Sequence, residues 1–440
     1  MSFSSITSAE FFAVWKHSLS ADFQQNGVSA RSEPWVTETT KIAMNDRPGV
    51  AALSDDNSLL AVGVGHEIYV YDMAAPALLR TLPGRAGYTI EELEFQPRGR
   101  KIAAGSEKRH QESTESIVQV WDLDAPSKPP EQLDDAVKAA VTAASSILLQ
   151  HWSVEDLESV NLQTKITEIF ARGQVAVDAR NGHILLGKLP SFESRPFSHD
   201  GRSLLYLPDR RNVAVLDVDT LTVRFRLSDH TGAVMWAETS PDDKVVATSS
   251  WDKTVRIWSM ETGEVIHVLE GATIQSWAGA FSPDGELIAA GAGDKMARIW
   301  RVDTGELLHT LGGFGDWVRS LSFSPDNLHL AAGAGKGTLR VFNVGSGESE
   351  QTWQIDIETH QHAGSFTEVS GVRYTPGGDL FFHSSEGRVF GYRASGNLKW
   401  EAGEGVPWGW SPVSRDGSML LTPLRDGPGV RVWKIDQESL

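Results

Sequence analysis

The sequence predicts an all-β fold in which repeated four-stranded units close into a ring. Three observations carry this: a 42-residue self-similarity in the middle of the chain, turn residues that punctuate each unit at matching places, and weaker copies of that punctuation over most of the 440 residues.

The period is set by Pro241, Pro283 and Pro325, each 42 residues from the next, and the stretches beginning at His230, Ile274 and Asp316 align along their length. Each unit holds an apolar run, an SPDG-like turn, a run rich in Ala, Leu and Val, a Gly or Asp turn, and a run ending in Trp or Phe. A TGE-like turn and a fourth run follow. Four short strands separated by turn residues make one antiparallel meander. Proline presets φ at the second turn position and Asp or Gly accepts the remaining geometry, so SPDG closes a tight connection between the first two strands.

Weaker copies of the turn stand at 54–57, 96–99, 198–201, 375–378 and 414–417, bringing the total to eight. Each precedes a strand-like run, from LLAVGV to MLLTPL, and then a third-strand candidate, from IYVYD to VRVWK.

This pattern resembles the WD40 repeat family over residues 36–123 and 175–434, although Trp-Asp itself ends a third strand only at Trp121-Asp122. The resemblance implies a WD40-type β-propeller: one sheet cannot cover both its faces, whereas radially stacked sheets bury them against neighbours. Eight blades fit the turns, with seven and nine as alternatives. The last unit offers strands near 408–413, 418–422 and 429–434, and the resemblance implies that residues 35–44 supply its fourth, closing a ring domain over 35–440.

Two segments depart from the repeat. Pro97 and His199 are 102 residues apart, which marks an insertion at 124–174. After the proline-rich APSKPPEQ it reads as two helices, one with Val137, Val141, Leu148 and Trp152 near helical spacing. The second has Ser153 and Asp156 as a capping box and Leu157, Ile166, Ile169 and Phe170 as its apolar positions. VAVDARNGHILLGKL at 175–189 then reads as third and fourth strands, so either the helices interrupt the second blade or residues 130–190 form a ninth. The 1–34 extension predicts a helix near 7–25, capped at Thr7 or Ser8, with Phe11, Phe12, Val14, Trp15 and Leu19 as apolar surface.

Composition narrows the chemistry. Acidic residues outnumber basic ones 58 to 40, and the resulting charge of −18 disfavours nucleic acid as a partner. Without cysteine there is no disulfide, thiolate nucleophile or cysteine zinc site. No basic start leads into an apolar core, and no 18 consecutive apolar residues occur, so the expectation is an intracellular protein, cytoplasmic or nuclear, without membrane insertion. HExxH, GxSxG, Walker A and EF-hand patterns are missing, and the close pair His360 and His362 has no evident third ligand. The expectation is a protein that is not an enzyme, with no cofactor and no metal.

In WD40 blades a histidine, a hydroxyl residue, an aspartate and a third-strand tryptophan form a structural tetrad. The resemblance places it at His230, Thr248 (or Ser250), Asp252 and Trp258. The next blade keeps Asp294 and Trp300 but has Ala272 in the histidine position, and the one after has Lys336 and Phe342, so both are expected to rely more on packing. Arg256, Arg298, Arg340 and Arg431 recur in third strands as a repeated structural position.

Aromatic residues, arginine and methionine suit interface centres. The blade alignment places Trp251, Met235, Trp277, Trp317 and Arg319 near one face, called the top face in this family, with Trp408 and Trp410 at the matching part of the last blade. The function expected is a non-catalytic scaffold that binds protein or peptide partners through this face and the helical insertion. The rivals are a chromatin or nucleic-acid reader and a propeller enzyme with a site in the central channel.

Overall fold

The structure, a computed structural model, describes residues 35–110, 114–124, 183–354, 368–385, 388–394, 398–402, 413–424 and 427–436. The helix expected near 7–25, the two expected within the 124–174 insertion, the His360–His362 pair, Trp408 and Trp410 lie outside them.

Eight antiparallel sheets are arranged as the blades of a propeller. Strand β1 (Val36–Ala43) precedes the first blade, which is β2 (Val50–Leu53), β3 (Leu59–Val64), β4 (Glu67–Asp72) and β5 (Ala77–Pro83). The second is β6 (Thr89–Phe95), β7 (Lys101–Arg109), β8 (Thr114–Asp122) and β9 (His183–Leu186), and the third contains β10 (Ser203–Tyr206), β11 (Val213–Asp217) and β12 (Val223–Leu227). The fourth is β13 (Val234–Thr239), β14 (Val245–Ser250), β15 (Val255–Ser259) and β16 (Val265–Leu269); the fifth is β17 (Ser276–Phe281), β18 (Leu287–Ala292), β19 (Ala297–Arg301) and β20 (Leu307–Leu311). The sixth is β21 (Val318–Phe323), β22 (His329–Ala334), β23 (Thr338–Asn343) and β24 (Ser349–Gln354); the seventh is β25 (Val369–Tyr374), β26 (Leu380–Ser384), β27 (Val389–Arg393) and β28 (Leu398–Ala402). The eighth sheet runs β1, β30 (Gly429–Ile435), β29 (Met419–Pro423).

Residue patterning follows position in the blade. Second strands are covered on both faces by neighbouring blades, so β18 (LIAAGA) and β22 (HLAAGA) are buried at all but their first residue and read as unbroken apolar runs. Fourth strands lie at the rim with one face in water, and β16 accordingly alternates between more and less exposed residues.

Six of the eight SPDG-like turns share one device. The serine hydroxyl donates to the aspartate two residues on, at 2.5 to 2.7 Å, in Ser54–Asp56, Ser198–Asp200, Ser240–Asp242, Ser282–Asp284, Ser324–Asp326 and Ser414–Asp416. The fourth turn residue has positive φ at Asn57, Gly201, Asp243, Gly285, Asn327, Gly378 and Gly417, which explains why Gly, Asn and Asp recur there.

Ring closure joins the two ends of the described chain. Strand β1 pairs antiparallel with β30 from Val36–Ile435 to Ala43–Gly429, and the Asp436 amide donates to the Trp35 carbonyl at 2.8 Å. Arg415 of the eighth blade reaches forward to Asp55 of the first (3.1 Å) and Glu94 of the second (3.0 Å).

Strand β9 pairs with β8, so the insertion falls between the third and fourth strands of the second blade and the ring has eight blades. The third-strand place in that blade belongs to β8; of the 175–189 stretch, the described part supplies the fourth. In the third blade, two isolated bridges, Lys188–Leu207 and Phe197–Leu204, stand where an inner strand would run. Residues 189–196 between them leave the sheet.

Candidate interaction face and central channel

A β-bulge recurs near the start of the first strands. The register of the first two strands slips between Ile90 and Glu92, Val234 and Trp236, Ser276 and Gly279, Val318 and Ser320, and Val369 and Gly371. A bulge leaves its extra residue outside the ladder and re-aims that side chain. The extra residues include Met235, Trp277, Arg319 and Ser370. Three of these are candidates picked from the sequence, and the bulge is the local reason they stand apart from their strands.

The re-aimed side chains build one aromatic row across three successive blades. Trp251, in the turn between β14 and β15, meets Trp277 edge-on at 5.3 Å, and Trp277 stacks on Trp317 at 5.4 Å. Arg319 lies 4.7 Å over Trp277 and 5.1 Å over Trp317, and pairs with Glu368 at 3.3 Å. Burial pushes the Glu368 carboxyl above the ordinary range, and Arg319 pulls it partly back. Trp277 is buried at the centre of the row, whereas Trp251 and Trp317 are 42% and 38% exposed, with Ile274 exposed beside them. Met235 does not join the row. It lines the channel, and its carbonyl accepts from the Ser191 amide at 3.1 Å.

The tetrad forms a single directed chain. The Trp258 indole N–H donates to Thr248 Oγ1 at 2.8 Å, Thr248 Oγ1 lies 2.7 Å from His230 Nε2, and His230 Nδ1 lies 2.7 Å from Asp252 Oδ2. Every group is satisfied when Thr248 donates to Nε2 and Nδ1–H donates to the carboxylate, which assigns the tautomer. Burial acts to raise the Asp252 carboxyl, but bonds from His230 and Thr254 outweigh it and hold it well below the ordinary range. Ser250 takes no part in the chain; its hydroxyl accepts from the Asp252 amide at 3.1 Å.

The fifth blade corrects one expectation. In place of a histidine, Arg298 grips Asp294 with two nitrogens at 3.1 and 2.8 Å, while Thr273 donates its amide at 2.9 Å, so a polar network persists there. The other recurrent arginines are also anchored within their blades or at the closure: Arg256 faces Asp229 at 3.8 Å, Arg340 lies 5.9 Å over Phe314, and Arg431 faces Glu38 at 3.7 Å.

Residues 189–196 form a strap across the central channel, which the sequence did not announce. Pro190 and Pro196 bracket it, and Phe192 and Glu193 both have positive φ, a costly conformation for non-glycine residues that surrounding contacts must hold. Those contacts reach several blades. Ser191 Oγ lies 3.4 Å from Glu92, Phe192 meets Trp277 edge-on at 5.6 Å, and Glu193 accepts from the Val372 amide at 3.2 Å. The other Glu193 oxygen lies 3.2 Å from His383 Nε2, and His383 Nδ1 is 3.0 Å from Ser370 Oγ. Gly371 makes this approach possible, because a Cβ there would collide with both His383 and Glu193.

The strap divides the channel into two chambers of about 370 and 360 Å³. The upper carries Glu91, Glu92, Glu94 and Glu107 of the second blade among its walls, with Met235, Arg319 and His383 from other blades. Burial, partly offset by Lys188, pushes the Glu92 carboxyl up to about 8. The lower opens toward the turn prolines Pro241, Pro283, Pro325 and Pro376 and includes Arg195, Glu238 and Arg373. Among the described residues, no group of three or more His, Asp or Glu is placed to hold a metal ion, and no helix is long and apolar enough to cross a membrane.

Comparison with known proteins agrees with this architecture. The family model described as "WD domain, G-beta repeat" matches residues 221–259, 263–301 and 305–343. No curated protein matches the chain. Among solved structures, the computationally designed Ika8 protein is similar at a TM-score of 0.60 and 17% identity, covering 91% of this chain and 100% of the other. At that identity the likeness shows the fold alone.

Proposed function

Because this chain is a WD40-repeat β-propeller, we propose that it is a non-catalytic platform that recruits a protein or peptide partner through the face bearing Trp251, Trp277 and Trp317. The row of three indoles from three blades carries this reading. Its two ends are exposed, its centre is buried, and Arg319 packs on the rings of Trp277 and Trp317. Interface centres favour such aromatic anchors held in place before binding, since little side-chain freedom is then lost on association. The test is affinity capture from the native cell with the full chain and with a Trp251→Ala/Trp317→Ala double variant. A partner held by the first and lost by the second supports the assignment. Equal capture by a folded double variant moves the interface elsewhere, with the 124–174 insertion next in line.

One observation favours a second reading, an enzyme of the channel: the Ser370, His383 and Glu193 side chains lie in hydrogen-bonding sequence. Both Glu193 oxygens are occupied in holding the strap, and the platform reading therefore leads. Hydrolysis of a nitrophenyl ester by the wild type that disappears in Ser370→Ala would reverse that order.

A further inference from the structure

The lower channel chamber sets two opposite charges against one space without joining them. Arg195, carried by the strap, and Glu238, from β13, both line it. Each feels the other's charge, yet they do not approach to the roughly 4 Å of an ion pair. Among the described residues neither has a hydrogen-bond partner, whereas Arg415 nearby is committed to Asp55 and Glu94. Both side chains are half-buried, and the surface they keep faces the channel.

Burial, with repulsion from Arg373 and Arg415, pushes the Arg195 guanidinium down to about 10, so it stays charged at neutral pH. Burial also pushes the Glu238 carboxyl up, with Arg195 the foremost influence pulling it back. The charged form of each group is thus held at a cost that a counter-charge brought from outside would relieve. The remaining walls include Phe192, Phe281, Leu321, Phe323 and Val372, which are apolar. A chamber of about 360 Å³ is of small-ligand size.

We propose that this chamber is a binding site for a free α-amino acid with an apolar side chain, whose carboxylate is received by Arg195 and whose ammonium is received by Glu238. A ligand carrying both charges a few ångströms apart spans the gap that the two protein groups leave open. Arg373 adds positive potential on the carboxylate side, and the aromatic wall takes the side chain. The chamber opens toward the turn prolines, on the side away from the indole row.

Isothermal titration of the full chain with L-phenylalanine and L-leucine tests this directly. Binding is expected for both. N-acetyl-L-phenylalanine, which lacks the ammonium, and phenethylamine, which lacks the carboxylate, should each bind at least tenfold more weakly. Arg195→Gln and Glu238→Gln should each weaken L-phenylalanine binding at least tenfold, with thermal unfolding confirming that each variant is folded. If one variant fails to fold, the analogue series on the wild type still decides. No heat with either amino acid, equal binding of the acetylated or decarboxylated analogue, or undiminished binding by both folded variants would overturn the proposal.

Discussion

The guanidinium of Arg393 lies 4.8 Å over the indole of Trp35, and it ties the seventh blade to the seam where β1 meets β30. The same guanidinium grips both oxygens of Asp379 at 2.7 and 2.6 Å and reaches the Asp436 carbonyl. Trp35 in turn packs against Phe381 at 5.6 Å. One buried cation thus holds the segment before β1, the residue after β30 and the adjacent blade.

Replacing Arg393 leaves Asp379 as a buried charge without its partner, which typically costs about 3–5 kcal/mol. Arg393→Ala should therefore lower the unfolding midpoint in urea more than Arg256→Ala, Arg340→Ala or Arg431→Ala, with Arg393→Lys restoring little because it lacks the planar fork. Equal midpoints for Arg393→Ala and Arg256→Ala would show that the seam does not depend on this contact.

The tetrad makes a graded prediction. Trp258→Phe removes one donor to Thr248 and should cost about 1 kcal/mol, while His230→Ala strands both Thr248 and Asp252 and should cost about 2–3 kcal/mol. The folded-state pKa of Asp252 is depressed, so its contribution is present above the ordinary aspartate pKa and is lost as pH falls through the folded value. The gap in stability between wild type and Asp252→Asn should accordingly shrink on acidification below about pH 4. A gap independent of pH would remove the ionised carboxylate from the network.

Glu92 predicts the opposite slope. Its folded-state pKa lies near 8, above the ordinary glutamate value of about 4.3, so the wild type should lose stability as pH rises between those values. Glu92→Gln removes this slope, and thermal unfolding at pH 5 and pH 8 measures it. The variant should gain on the wild type at the higher pH.

Within the indole row, position should decide the effect. Trp251→Ala should weaken partner binding by about 2 kcal/mol, roughly thirtyfold, at an unchanged unfolding midpoint, because its ring is the more exposed. Trp277→Ala should lower both affinity and stability, since it also removes the contacts to Phe192 and Arg319. Matching stability losses for the two variants would argue against the split between anchor and support.

The strap can be released without touching its own residues. Gly371→Ala places a methyl where Glu193 and His383 meet, so residues 189–196 should become cleavable by a protease under native conditions while the blades stay folded. Cleavage no faster than wild type would show that other contacts hold the strap alone.

The repeat made the ring, the turns and the tetrad legible, because each rests on local chemistry that recurs with the period. His230, Thr248, Asp252 and Trp258 sit where the resemblance implied, and their distances complete the chain of donors. Trp251, Trp277 and Trp317 could be grouped because equivalent positions of adjacent blades are neighbours in a ring. Met235 was grouped with them by the same logic, yet its bulge directs it to the channel. Arg298 taking the place of a histidine was hidden because it reaches Asp294 from the strand that follows the turn, whereas the histidine of the tetrad stands before the first strand. The strap was illegible for a different reason: LPSFESRP breaks the period, and its contacts lie in four separate blades, so no local pattern encodes them. Two prolines around a non-repeating stretch were the only signal.

Strand β1 pairs with β30, and Thr39 Oγ1 donates to a carbonyl 393 residues further along. During synthesis, β1 must therefore wait, without β30 along its edge, until residues 429–435 have emerged. Contacts of such sequence separation form late, and unpaired strand edges invite pairing with other chains. Chains truncated anywhere before residue 429 would carry that edge exposed, so premature termination should yield aggregates rather than a shorter ring.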